Sequence, residues 1–203
     1  MKKWFRAICL AVFCAVILPI SATAAEIFSI SPYVDTIRNY EKAYTAMYTA
    51  IEKQQTYLDI SSLRIHDYDI MRIFEDVLEN SPEFFYVRNS LHYRYKTNGY
   101  VTSLSFSYSM SSTVRKEAMA FYQTEISRIV TETESLCKTD VEKALYVHDM
   151  LIASFRYDED EQIFDVYRFL MEKKGVCQAY ALCYMAILRE MDIPCFLVKS
   201  SDM

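Results

Sequence analysis

The sequence predicts an α+β fold, a series of amphipathic helices interrupted by one antiparallel hairpin. Apolar residues recur at three- and four-residue steps through much of the chain, the period of a helix with one buried face. Asn98-Gly99 separates two alternating segments, the strongest short hairpin signal. Only two glycines and four prolines occur in 203 residues, so there is no Gly/Ser/Pro-rich linker and no low-complexity stretch.

Residues 1–24 read as a secretory signal peptide rather than as fold. Lys2, Lys3 and Arg6 form a basic start, Ala7 to Leu18 an uncharged apolar run, and Ser21 to Ala25 a set of small residues around a cleavage site. The run is too short for an ordinary spanning helix, which needs about 20 residues. The processed protein is therefore expected to be secreted or held at the cell surface, not integral to the membrane. Removing Lys2, Lys3 and Arg6 from the 22 basic residues leaves 19 against 27 acidic ones, a formal charge of −8. That balance argues against nucleic acid and anionic lipid as partners. The 17 tyrosines and 12 phenylalanines serve packing first, although tyrosine-rich faces also bind sugars and peptides.

The elements follow in order. A first helix is expected from Asp35 to Tyr57, with Ile37, Tyr40, Tyr44, Met47, Ile51 and Leu58 on its inner face. A second spans Asp67 to Leu78 with Ile70, Ile73, Phe74, Val77 and Leu78 inward; Asn80-Ser81-Pro82 stops it, because proline disfavours helical geometry in the residue before it. A two-residue Asn98-Gly99 turn then pairs Tyr95 with Thr102, Tyr93 with Leu104 and Leu91 with Phe106 on an apolar face. Arg94 opposite Ser103 and His92 opposite Ser105 occupy the polar one. A third helix runs from Ser112 to Glu134 with Val114, Ala118, Phe121, Ile126 and Ile129 inward. After Cys137-Lys138, Thr139 and Glu142 fit a capping box. They open a fourth helix whose inner stripe reads Val141, Leu145, His148, Ile152 and Phe155. A soft boundary near Leu136 divides an N-terminal helix-and-hairpin region, 25–135, from a region 136–203 that ends in a helix and a strand from Pro194 to Lys199.

The last region carries the chemistry. Gly175-Val176-Cys177-Gln178-Ala179-Tyr180-Ala181 places a thiol at a helix start, just behind one of the two glycines. A helix N-terminus holds roughly half a positive charge, which stabilises the thiolate that acts as a nucleophile. Ala181, Leu182, Met185 and Leu188 fit a buried stripe behind the thiol, and Gly175 is expected to supply backbone freedom before the helix. Cys183 is expected to face the core, Cys195 to pack in the final strand, and Cys137 to lie in a turn. An exported setting permits disulfides, and these four cysteines allow three complete pairings. No Cys-x2-Cys pair occurs, so neither a metal site nor a cofactor is expected. His148 is expected to be a core histidine; His66 and His92 read as loop and polar-face residues.

From the fourth helix onward the chain resembles the transglutaminase-like superfamily, papain-related thiol enzymes that include exported bacterial members. The resemblance rests on Lys143-Ala144 to His148-Asp149, Phe155-Arg156-Tyr157-Asp158, Asp165-Val166-Tyr167, the block from Gly175 to Ala181, and Leu188 to Ile193-Pro194. Glu83 to Val87 and the Asn98-Gly99 hairpin carry a weaker likeness to the region that precedes this core. The resemblance implies the first half of a papain/transglutaminase-like core, helices plus the start of an antiparallel sheet. It implies Cys177 as the nucleophile, with its backbone N–H contributing to an oxyanion hole. The substrate class it implies is peptide or glutamine amide, hydrolysed or transferred, with cell-wall peptide and surface protein as possible partners. The family's histidine and aspartate fall beyond Met203, so the chain as written is expected to be inactive alone; a non-catalytic surface-binding module on the same scaffold is the alternative. Two positions depart from the pattern. Ala179 stands where close relatives usually carry glycine and is expected to crowd the backbone near the thiol. Asp192 replaces a glycine after the helix and is expected to take the left-handed conformation at some strain.

Overall fold

The computed structural model describes residues 31–198, with side chains from residue 36. The signal peptide expected over 1–24 lies outside these residues. The described elements are α1 (Ser31–Glu52), β1 (Tyr57–Asp59), α2 (Asp67–Glu79), a 3-10 turn (Pro82–Phe84), β2 (Val87–Tyr95), β3 (Val101–Tyr108), α3 (Ser112–Leu136), α4 (Asp140–Ser154), β4 (Arg156–Tyr157), α5 (Val166–Glu172), β5 (Lys174–Gly175) and α6 (Cys177–Glu190). The class is α+β, as the helix periods and the hairpin predict. The chain divides into two compact units between Lys42 and Ala43, inside α1, and the elements from β1 onward belong to the second.

The first helix stops at Glu52 rather than Tyr57. Gln54 takes a positive φ of 54°, Gln55 N–H donates to Ala50 O (2.9 Å) and Gln54 N–H to Ile51 O (2.9 Å). This paired motif closes a helix at a left-handed residue, and nothing in glutamine announces it. Tyr57 and Leu58, expected on the helix, instead form β1 beside β3, with Tyr57 opposite Ser105 and Asp59 opposite Ser103. The hairpin thus becomes a three-stranded sheet in the order β1-β3-β2.

Within the hairpin the pairs Tyr93–Leu104, Leu91–Phe106, Arg94–Ser103 and His92–Ser105 form as expected. The turn does not. Gly99 N–H donates to Lys96 O (2.8 Å) and Lys96 N–H to Tyr100 O (2.9 Å), so the loop has three residues, Thr97 to Gly99, with Gly99 alone at positive φ (81°). Tyr95 consequently pairs with Val101, and a register shift beyond Arg94 restores the expected ladder. Gly99 is required twice over. Its conformation is left-handed, and a Cβ there would run into the His66 ring.

α2 matches its expected span, burying Ile70, Ile73, Phe74 and Val77. α3 buries Ala118, Tyr122, Ile126 and Ile129 but not Val114 or Phe121, which are exposed. In α4 the expected face is reversed. Val147 and Leu151 point inward, while Val141, Leu145 and Ile152 are 70 %, 60 % and 59 % exposed; only Phe155, at the helix end, is buried as expected. α4 carries two apolar stripes, so its period alone does not choose between them. Packing against α3 and α6 selects the stripe with the smaller residues, Ala144 and Val147.

α6 lies at the centre of this cluster, against α3, α4 and α5, and buries Ala179, Leu182, Cys183, Met185, Ile187 and Leu188. It ends as the aspartate predicts: Asp192 has φ 58°, Ile193 N–H donates to Leu188 O (3.0 Å) and Asp192 N–H to Arg189 O (3.0 Å). The strand expected from Pro194 does not form over residues 193–198. No described strand lies alongside to complete a ladder there, and an unpaired strand has nothing to hold it extended. Arg189 instead reaches back to the Cys195 carbonyl (Nη2, 3.3 Å), leaving Phe196 and Val198 exposed.

Candidate active site

Cys177 is the first residue of α6, preceded by Val176 as N-cap, and its side chain is exposed. Valine supplies no capping oxygen. The opening N–H groups of α6 therefore have no intrahelical partner and no side-chain cap. The thiol and these donors share one helix end, an arrangement that favours negative charge on an oxygen bound beside the sulfur.

The helix start is braced from below. β4 and β5 pair in parallel, Arg156 with Lys174 and Tyr157 with Gly175. Val176 N–H donates to Ile163 O (3.0 Å). Gly175 sits here for lack of space, not for conformational freedom: it is not among the positive-φ residues. A Cβ on it would come within 2.6 Å of Phe169 Cδ2 and 2.8 Å of the Ala179 methyl. The crowding expected at Ala179 is thereby resolved, because the missing side chain of Gly175 makes room for that methyl.

In front of the thiol lies an apolar groove of about 450 Å³ lined by His148, Leu151, Ile152, Tyr157, Cys177, Tyr180, Ala181 and Tyr184. Ala181, expected behind the thiol, is part of this wall. Tyr184 ties α6 to α4 by donating to Ala144 O (3.1 Å), and Tyr180 packs edge-on against Phe169 (4.6 Å between ring centres). Burial raises the hydroxyl pKa of both tyrosines above the usual value, so they remain neutral walls.

His148 is not the core residue its stripe suggested. It is exposed with the reversed face of α4, on the groove, and its Nδ1 lies 3.0 Å from Asp149 Oδ1. His66 precedes α2 without a side-chain capping bond and stacks on Tyr68 (4.2 Å), and His92 lies on the exposed face of β2, both away from the groove lining. All four described cysteines are free. Cys183 is fully buried, and burial pushes its thiol pKa far up. Cys195 is half-buried with Sγ 3.7 Å from Met185 O, and Cys137 caps the end of α3. Among the described residues no group of three histidine, cysteine or acidic side chains is placed to hold a metal ion, and no helix is long and apolar enough to cross a membrane. Sequence reasoning gave no role to Asp158, a carboxylate buried beneath the site at 1 % exposure; the signal was its place in the Phe155-Arg156-Tyr157-Asp158 run.

Residues 127–200 match the family model of the transglutaminase-like superfamily. This region belongs to the transglutaminase-like superfamily. The matched stretch begins inside α3, takes in α4, the groove and Cys177, and continues through the turn at Asp192. No curated protein matches the chain.

Proposed function

We propose that the transglutaminase-like region performs thiol acyl chemistry, with Cys177 as the nucleophile. The observation that carries this reading is the exposed thiol at an uncapped helix start, opening on an apolar groove. The sulfur attacks the carbonyl carbon of a peptide or glutamine amide. A C–S bond forms, negative charge gathers on the carbonyl oxygen near the first N–H groups of α6, and the C–N bond breaks as ammonia or an amine leaves with a proton. Water or a second amine then attacks the thioester, and the thiol is released. The apolar groove walls favour uncharged groups beside the carbonyl.

Export of the processed chain is part of the proposal, with the leader-like residues 1–24 as its support, and peptide or protein outside the cell, including cell-wall peptide, as the substrate class. The second step is proposed to be slow. The bond found for His148 goes to Asp149, and among the described residues no imidazole is hydrogen-bonded to Cys177. A thiol without a base acylates more readily than it turns over. A binding module on the same scaffold is the second reading, favoured by the broad exposed apolar face of α4 beside the groove.

Activated esters separate the two. With p-nitrophenyl acetate we expect a burst of about one equivalent of nitrophenolate per chain, the signature of an accumulating acyl enzyme, followed by slow release. The burst is expected to vanish in Cys177→Ala. An undiminished burst in that variant, or none in the wild type, contradicts the enzyme reading.

A further inference from the structure

Asp158 is among the few buried charged or polar side chains, 1 % exposed, and nothing in the acyl chemistry above uses it. Its Oδ2 accepts two backbone hydrogen bonds, from Gln162 N–H (2.8 Å) and Ile163 N–H (3.0 Å). Its Oδ1 faces Lys174 Nζ at 3.2 Å. Its own N–H donates to Gly175 O (3.1 Å), and its C=O accepts from Glu161 N–H (3.0 Å), where Glu161 has a left-handed φ of 51°. The loop from 158 to 163 is thus wound about one carboxylate.

That loop leads to the thiol. Ile163, held through its N–H by Asp158, is fully buried, and its C=O accepts the Val176 N–H (3.0 Å). Val176 is the N-cap from which Cys177 projects. A second path runs from the Asp158 N–H to Gly175, which Phe169 and Ala179 hold in place from the other side. One route of two hydrogen bonds joins the buried carboxylate through Ile163 to Val176, while the backbone N–H of the same residue separately ties the loop to Gly175.

We propose that Asp158 is the positioning residue of the Cys177 site, its carboxylate fixing through Ile163 the backbone that sets the thiol at the helix mouth. The proposal rests on the reading of Cys177 as nucleophile. Asparagine has the same shape, but with its oxygen on the two N–H groups its NH2 donor is turned onto the Lys174 ammonium, donor against donor, so the side chain cannot hold the place the carboxylate holds. Glutamate keeps the charge but is one methylene too long for the same turn. A role of charge alone would survive the glutamate substitution, and a positioning role does not.

The Gln162 N–H and then the Lys174 ammonium hold the Asp158 carboxyl below the usual carboxylate range. The sign follows. The group contributes stability at pH values above the ordinary aspartate range, and that contribution is lost as pH falls through its lowered folded value. At pH 6.5 the carboxylate is ionised and the network intact.

The test measures iodoacetamide alkylation of each cysteine at pH 6.5 by peptide mapping on the full chain, together with amide hydrogen exchange. Both Asp158→Asn and Asp158→Glu are expected to slow Cys177 by about threefold or more, the scale set by the helix-end charge. Both should speed exchange at 175–179 while Cys183 stays unlabelled. Lys174→Met, which spares both Oδ2 bonds, is expected to leave Cys177 unchanged. A fast wild-type Cys177 that keeps its rate in both Asp158 variants overturns the proposal. So does Cys183 becoming labelled in step with the Cys177 change, which would make Asp158 a general stability element. A wild-type Cys177 no faster than N-acetylcysteine amide, a thiol of ordinary acidity, instead removes the nucleophile reading itself.

Discussion

Gly175 and Ala179 share one small volume under the thiol, and each is the size the other permits. The 2.6 Å and 2.8 Å approaches that a Cβ on Gly175 would make lie well inside contact distance, and Phe169 is fully buried and cannot yield. Gly175→Ala is therefore expected to destabilise the fold by about 1–3 kcal/mol, the usual cost of overpacking. Adding Ala179→Gly should recover part of that loss, because the two sites couple directly. Thermal unfolding of the two single variants and the double reads this out; strict additivity would show that the crowding is not mutual. At this scale the sequence made Cys177 and Asp192 legible, since helix ends and left-handed positions leave local marks. It did not disclose the role of Asp158, because the partners that define it are backbone N–H groups four and five residues on, invisible in side-chain identity.

Helix α4 shows what local signals fix and what they leave open. Its start is set by chemistry: Glu142 N–H donates to Thr139 Oγ1 (3.2 Å) and Thr139 N–H to Glu142 Oε2 (3.0 Å). Both bonds of the box were readable from residue types alone. Thr139→Ala is expected to cost about 1 kcal/mol, as removal of an N-cap hydroxyl commonly does, measured by denaturant unfolding; no change in the midpoint would show the box to be idle. Its rotation was not readable, because apolar residues line both sides, and the choice was made by α3 and α6. The same division holds in the hairpin. Alternation fixed the central register, whereas the turn depended on Lys96 and Tyr100 pairing and on the His66 ring beside Gly99. β1 escaped notice because three residues give too short an alternation to register.

The second unit builds a sheet at one place and a helical cluster at another, with α6 buried along most of its length and exposed at its start, at Cys177 and Gln178, and at Glu190. The class was legible because helix periods dominate the chain. The strand after Pro194 was not secured by its own sequence, since a strand exists only with a neighbour. The reversal of α4 places Ile152 and His148 on the groove with the thiol, so the open surface beside Cys177 is apolar. The functional account depends on that helix mouth making one cysteine different from the rest. The most direct measurement is competitive alkylation of the native chain at pH 6.5 with a limiting amount of iodoacetamide, mapped cysteine by cysteine and repeated in denaturant. The account predicts that in the native chain Cys177 takes most of the label, ahead of the half-buried Cys137 and Cys195, and that the preference disappears on unfolding. Label spread evenly over Cys137, Cys177 and Cys195 in the native chain would contradict it.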